Sequence, residues 1–145
     1  MGRLLPLCLW KAGGACLLVL FYDWFMAAHN ELGTWGEEWA SAYLRERGYV
    51  ILERDWRSGH RDLDIVALDG DEVVFVEVKT RSSHFLADPF HTISDKKKLN
   101  IRRSVAHFMR SHPQYHRARF DIIILVGSLG QRPEVQYYER VRLIP

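Results

Sequence analysis

Apolar residues recur along this chain at spacings that define most of its elements. Trp35, Trp39, Ala42 and Tyr43 repeat at helical intervals. Thr34-x-x-Glu37 has the form of a capping box in front of them, and Gly48 supplies a stop. Residues 49–56 read as a strand closed by a turn at Ser58-Gly59. Residues 62–68 and 72–80 are β-rich runs joined by Asp69-Gly70-Asp71, a hairpin signal. After a loop containing Pro89, Ser94 or Asp95 caps a second helix with the apolar stripe Ile101, Val105, Phe108 and Met109, ended by Pro113. Residues 120–126 (FDIIILV) are nearly all apolar, as in a strand buried on both faces, and a last strand comes at 135–141. The order is helix, three strands, helix, two strands. Three strands in succession form an antiparallel meander, and the second helix permits a crossover to a parallel strand. The pattern predicts an α/β fold with a mixed sheet.

The first 25 residues differ from the rest. Residues 4–25 are largely apolar, and three readings stay open. A secretory signal would use Arg3 as its basic end, but Lys11 interrupts the apolar run and Phe25-Met26-Ala27-Ala28 is a weak cleavage site. A membrane span needs about 20 apolar residues, and Pro6, Lys11 and Asp23 sit within or beside the candidate. In the third reading translation starts at Met26. The expected division is a leader, 1–25, and one domain, 26–145.

Composition narrows the class. A length of 145 residues, 48% hydrophobic and 26% charged, suits one globular core and excludes a disordered or collagen-like chain. Cys8 and Cys16 are the only cysteines, so neither disulfides nor a cysteine zinc site can organise the body, and a reducing cytoplasm fits. The net charge is only +2, with 20 Lys and Arg against 18 Asp and Glu. The protein is therefore not basic all over.

The chemistry lies on the hairpin. Side chains alternate along a strand, so Asp62, Asp64, Val66 and Leu68 share one face, as do Val73, Phe75, Glu77 and Lys79. A turn of even length keeps both sets on the same side. With Gly70-Asp71 as the turn, Asp64 lies across from Glu77 and Asp62 across from Lys79. Facing carboxylates repel, and burying them among Val66, Val73 and Phe75 costs free energy unless they are paired, protonated or metal-bound. Lys79 offsets one charge, and Mg²⁺ between Asp64 and Glu77 resolves the rest. The alternative is a wet sheet face on which Asp62 and Lys79 form an ordinary cross-strand pair.

Asp64 followed across a hairpin by Glu77-Val78-Lys79 resembles the D…(D/E)xK signature of the PD-(D/E)XK nuclease superfamily. The flanking text narrows the likeness: Gly33-x-x-Gly36-Glu37, Gly48-Tyr49, Asp62-Leu63-Asp64-Ile65-Val66-Ala67, Phe75-Val76-Glu77-Val78-Lys79-Thr80-Arg81 and Arg119-Phe120-Asp121. In order and spacing these resemble the YraN family of endonuclease-like bacterial proteins, and more distantly archaeal Holliday junction resolvases, over roughly residues 30–126. The resemblance implies a restriction-endonuclease-like αβββαβ core, a mixed sheet with helices packed on it, and Mg²⁺-dependent phosphodiester hydrolysis, with Mn²⁺ as a substitute. It implies that Asp64 and Glu77 hold the metal with the Val78 carbonyl, and that Lys79 orients the attacking water and stabilises developing charge. Glu37 corresponds to an acidic residue that often completes such sites; its other role is to close the capping box with Thr34. Arg61-Asp62 stands where the family pattern reads Gly-Glu, which bears on fine site geometry.

Charge is uneven. From His91 to Arg119 there are eight Lys and Arg against Asp95 alone. Lys96, Lys97, Lys98, Arg102 and Arg103 are candidates for gripping a nucleic-acid backbone, and Arg81 adds a phosphate contact; a solvated helix face is the plainer reading. No base-reading motif is present, so shape or backbone recognition is expected. The seven histidines show no metal-ligand spacing and are read as surface residues. The expected function is a Mg²⁺-dependent nuclease acting on DNA, selective for DNA structure. The alternatives are a nucleic-acid-binding protein of the same fold that cleaves nothing, and a membrane-tethered form if the leader is a genuine anchor. A homo-oligomer remains open.

Overall fold

A computed structural model of the chain describes residues 15–82, 91 and 93–144, without the side chains of 15–25 and 61. Most of the leader and the loop containing Pro89 lie outside the described residues. Contacts divide the chain into two units, Met1–Glu31 and Leu32–Pro145, and the whole sheet belongs to the second.

Seven elements appear in the expected order: α1 (Ala15–Glu46), β1 (Val50–Ser58), β2 (Arg61–Asp69), β3 (Glu72–Arg81), α2 (Asp95–Ser111), β4 (Arg117–Val126) and β5 (Glu134–Tyr138). They build one five-stranded sheet in sequence order. β1–β2, β2–β3 and β4–β5 are antiparallel, and β3–β4 is parallel across the α2 crossover. The α/β architecture is as the pattern of the sequence predicts.

One helix start differs. α1 already runs through Thr34, so Thr34 and Glu37 lie inside a helix and form no capping box. A capping box needs a break in the chain before it; residues 26–33 contain no proline, and the helix runs on through Gly33. The C-terminal end is as expected: Gly48 takes φ +86°, Gly48 N–H donates to the Arg45 carbonyl (2.9 Å) and Tyr49 N–H to that of Leu44 (3.1 Å). These two bonds form a Schellman cap, which needs a left-handed residue at Gly48. At the start of α2 the Ser94 hydroxyl accepts from Lys97 N–H.

The sheet separates two apolar layers. Val66, Phe75, Ile122 and Ile124 pack with Ile101 and Phe108 of α2, while Ile65, Val74, Val76 and Ile123 pack with Ala40 and Leu44 of α1. Gly36 lets α1 come close, because a Cβ there would run into Thr80 Cγ2 of β3. Two histidines expected at the surface are partly covered. His112 stacks on Phe108 at 4.0 Å between ring centres, and His107 lies 5.8 Å from Trp56.

Candidate functional site

The hairpin turn is Gly70-Asp71, with Gly70 at φ +61° as a type II′ turn requires at its first central position. Register then runs from Asp69↔Glu72 up to Ile65↔Val76, so the next step brings Asp64 level with Glu77. The regular ladder stops there. Instead of continuing the backbone pairing, the Asp64 carboxylate accepts from Val78 N–H at 2.8 Å. On the other side of β2, Asp64 falls between the Arg54↔Ile65 and Trp56↔Leu63 pairs, opposite Asp55, whose φ of +48° is left-handed. Strand alternation breaks at the same point: Leu63 and Val66 share the α2-side layer while Ile65 faces the other. Asp64 thus sits where β2 parts from β3 and where its pairing with β1 skips one step before resuming at Leu63, which frees its carboxylate from the regular pleat.

Glu77 is 3% exposed, and each of its oxygens faces an ammonium. Lys79 Nζ donates to Oε1 at 2.8 Å, and Lys97 Nζ lies 3.6 Å from Oε2. Lys97 also donates to Asp62 Oδ1 at 3.2 Å. Parity along the hairpin predicts that Asp62 faces Lys79; the structure gives Lys79 to Glu77 and Asp62 to Lys97, because the ladder opens before that cross-strand position is reached. Burial first, and the Glu77 charge second, push the Asp64 pKa up to about 7, against the Val78 N–H bond and the two lysines. Burial works against the Lys97 charge, but Glu77 and Asp62 more than offset it and hold its pKa above the ordinary lysine value.

The donors suit a hard divalent ion. Asp64 and Glu77 supply carboxylate oxygen and the Val78 main chain a carbonyl, and Mg²⁺ binds through one or two carboxylates while keeping several waters. Among the described residues no three His, Cys, Asp or Glu side chains gather as a metal cage. Glu37, the third acid that the resemblance implies, comes from α1 and not from the hairpin. It rides on the helix covering the opposite sheet face, where burial and Asp55 raise its pKa and Glu77 acts more weakly.

The basic segment is less uniform than its composition suggests. Lys96, Arg102 and Arg103 are exposed on α2, while Lys98 is held by Asp95 at 3.2 Å. Arg81 donates to the Thr80 carbonyl. Arg117 pairs with Asp71, and Arg119, 6% exposed, is locked to Asp69, Glu72 and Asp121. Lys97 turns inward, which its charge alone does not predict. A signal for it is nonetheless present in the sequence: Lys97, Ile101, Ser104 and Phe108 lie on one helical stripe, and the last three are the buried residues of α2.

Fold and cluster together define an α/β domain with a mixed sheet and a dry acid–acid–lysine centre where its central hairpin opens. The model of the family described as Uncharacterised protein family UPF0102 matches residues 36–125. A UPF0102 protein of Bacteroides thetaiotaomicron is 46% identical over 105 residues, covering 72% of this chain and 87% of the relative. One from Rhodococcus opacus is 37% identical over 112 residues, covering 76% and 95%. The chain belongs to the UPF0102 family, the YraN-like group that its motifs resemble.

Proposed function

We propose that the protein is a Mg²⁺-dependent nuclease that hydrolyses phosphodiester bonds in DNA, and that it belongs to the PD-(D/E)XK superfamily. The observation that carries this reading is the placement of Glu77, a carboxylate 3% exposed beside Asp64 with an ammonium on each oxygen. A surface salt bridge would not be so dry, and a purely structural ion pair would not set two acids against each other. Bound Mg²⁺ would polarise the phosphate and lower the pKa of a coordinated water. Asp64 and Glu77 hold the ion. Lys79, tethered two residues along β3, keeps its ammonium at the rim, where it can orient water and meet charge developing on the phosphate oxygens. Lys96, Arg102 and Arg103 on the exposed face of α2 bind neighbouring phosphates without reading bases, which favours recognition by DNA shape. Water adds to phosphorus, and the phosphodiester becomes a phosphomonoester and an alcohol.

A second reading, a nucleic-acid-binding protein without catalysis, is favoured by one fact: both Glu77 oxygens already have ammonium partners without an ion. Incubation with duplex, single-stranded and four-way-junction DNA, with and without Mg²⁺ or Mn²⁺, separates the two. Metal-dependent cleavage that falls at least a hundredfold in Glu77→Ala and Lys79→Ala is expected. Cleavage persisting in both variants points to contamination, and salt-sensitive binding with no cleavage establishes the second reading.

A further inference from the structure

Lys97 sits apart from the rest of the basic face of α2. Its neighbour Lys96 is exposed, whereas Lys97 is 27% exposed and lies between Asp62 and Glu77. An ion held at Glu77 would meet an ammonium already set against each of its oxygens. Lys79 is tied close by, two residues along the same strand, but Lys97 comes from another element on a flexible four-carbon stem. With Asp64 ionised, as an ion beside it requires, Asp62, Asp64 and Glu77 together exceed the two lysines by one negative charge. A divalent ion reverses that excess, and one phosphodiester restores neutrality.

We infer that Lys97 is an internal counter-cation of the site: it stands in for the divalent ion when none is bound, yields Glu77 to the ion, and then takes a substrate phosphate. Ion and nucleic-acid backbone therefore bind cooperatively, each strengthening the other by the same factor. The inference rests on the metal-dependent reading above and names the residue that couples ion to substrate. Lys97 acts here as a positioning residue, through Glu77 and through the phosphate.

The test is calorimetric titration of the full chain with Mn²⁺, alone and with a duplex of hydrolysis-resistant phosphorothioate linkages. Lys97→Met keeps the apolar stem and removes the charge; Arg117→Gln removes one charge at the far end of the sheet. Wild type is expected to bind Mn²⁺ about tenfold more tightly with the duplex than without, a coupling of ordinary size. Lys97→Met is expected to bind Mn²⁺ alone about tenfold more tightly than wild type, because an opposing unit charge has gone. Its further gain from the duplex should be clearly smaller than the roughly tenfold gain of wild type, leaving only the direct attraction of ion and phosphate, while Arg117→Gln behaves as wild type. Equal Mn²⁺ affinity in Lys97→Met and wild type overturns the inference and leaves the metal reading standing. A wild type that takes up no Mn²⁺ overturns both.

Discussion

Asp64→Asn is expected to make the metal-free protein more stable at pH 8 while abolishing its affinity for divalent ions. Folding raises the Asp64 pKa from 3.8 to about 7. Between those values the unfolded chain has released the proton and the folded chain retains it, so stability falls as pH rises through this window and is level above it. Below pH 3.8 this contribution is fully present; at pH 8 the protein carries the whole cost of ionising a carboxylate beside Glu77. Asparagine removes that charge and keeps an oxygen to accept from Val78 N–H. The gain at pH 8 is on the order of 2 kcal/mol, less than the full shift implies because the two lysines remain nearby. Below about pH 4 variant and wild type should differ little. Chemical denaturation at about pH 4 and pH 8 in the presence of a chelator measures this. Equal or lower stability of the variant at the higher pH would mean that the two acids impose no strain on the fold.

The opposite effect is expected on the other face of the sheet. Asp121 is fully buried, accepts from Tyr137 Oη (2.6 Å) and Arg140 N–H (2.8 Å), and pairs with the Arg119 guanidinium (3.1 Å). Arg119 also reaches Asp69, Glu72 and Tyr49, so this network joins β2, β3, β4 and the chain after β5. Burial, and after it the Asp121 bond, holds the Tyr137 pKa well above the tyrosine range. Asp121→Ala leaves a guanidinium short of charge and two donors without their acceptor, at a cost of about 3–5 kcal/mol. Asp121→Asn keeps an acceptor and is expected to lose about half of that. Denaturant midpoints check both; a loss below about 1 kcal/mol for Asp121→Ala would show the network to be dispensable.

The two faces differ in how far the sequence reveals them. The hairpin is legible because Asp69-Gly70-Asp71 marks its turn and an even loop preserves parity, so Asp64 and Glu77 share a face whichever two-residue turn forms; that they come level follows from the Gly70-Asp71 turn of the structure. The apolar run 120–126 likewise announces a central strand. Three features escape local reasoning. Thr34 and Glu37 match a capping box, but the helix runs on through Gly33 instead of starting after it. Arg119 counts among the basic residues of its segment, yet its partners Asp69, Glu72 and Tyr49 lie about 50 or more positions away in sequence and meet it only once the sheet is assembled. Lys97 carries a helical-stripe signal that its charge conceals. The Asp62–Lys79 pairing fails for a further reason: parity assumes a regular pleat, and β2 abandons it at Asp64. The departure from regular strand geometry coincides with the proposed site, as expected where chemistry competes with folding.

The most direct measurement is the position of bound Mn²⁺, read from paramagnetic broadening of backbone amide signals. The account predicts that Asp64, Glu77, Val78 and Lys79 broaden first and together, and that Asp69 and Glu72, at the turn end of the same strands, stay sharp. It also predicts that Glu77→Gln abolishes the effect. Broadening centred on Asp69 and Glu72, or broadening of Val78 that survives Glu77→Gln, would contradict it.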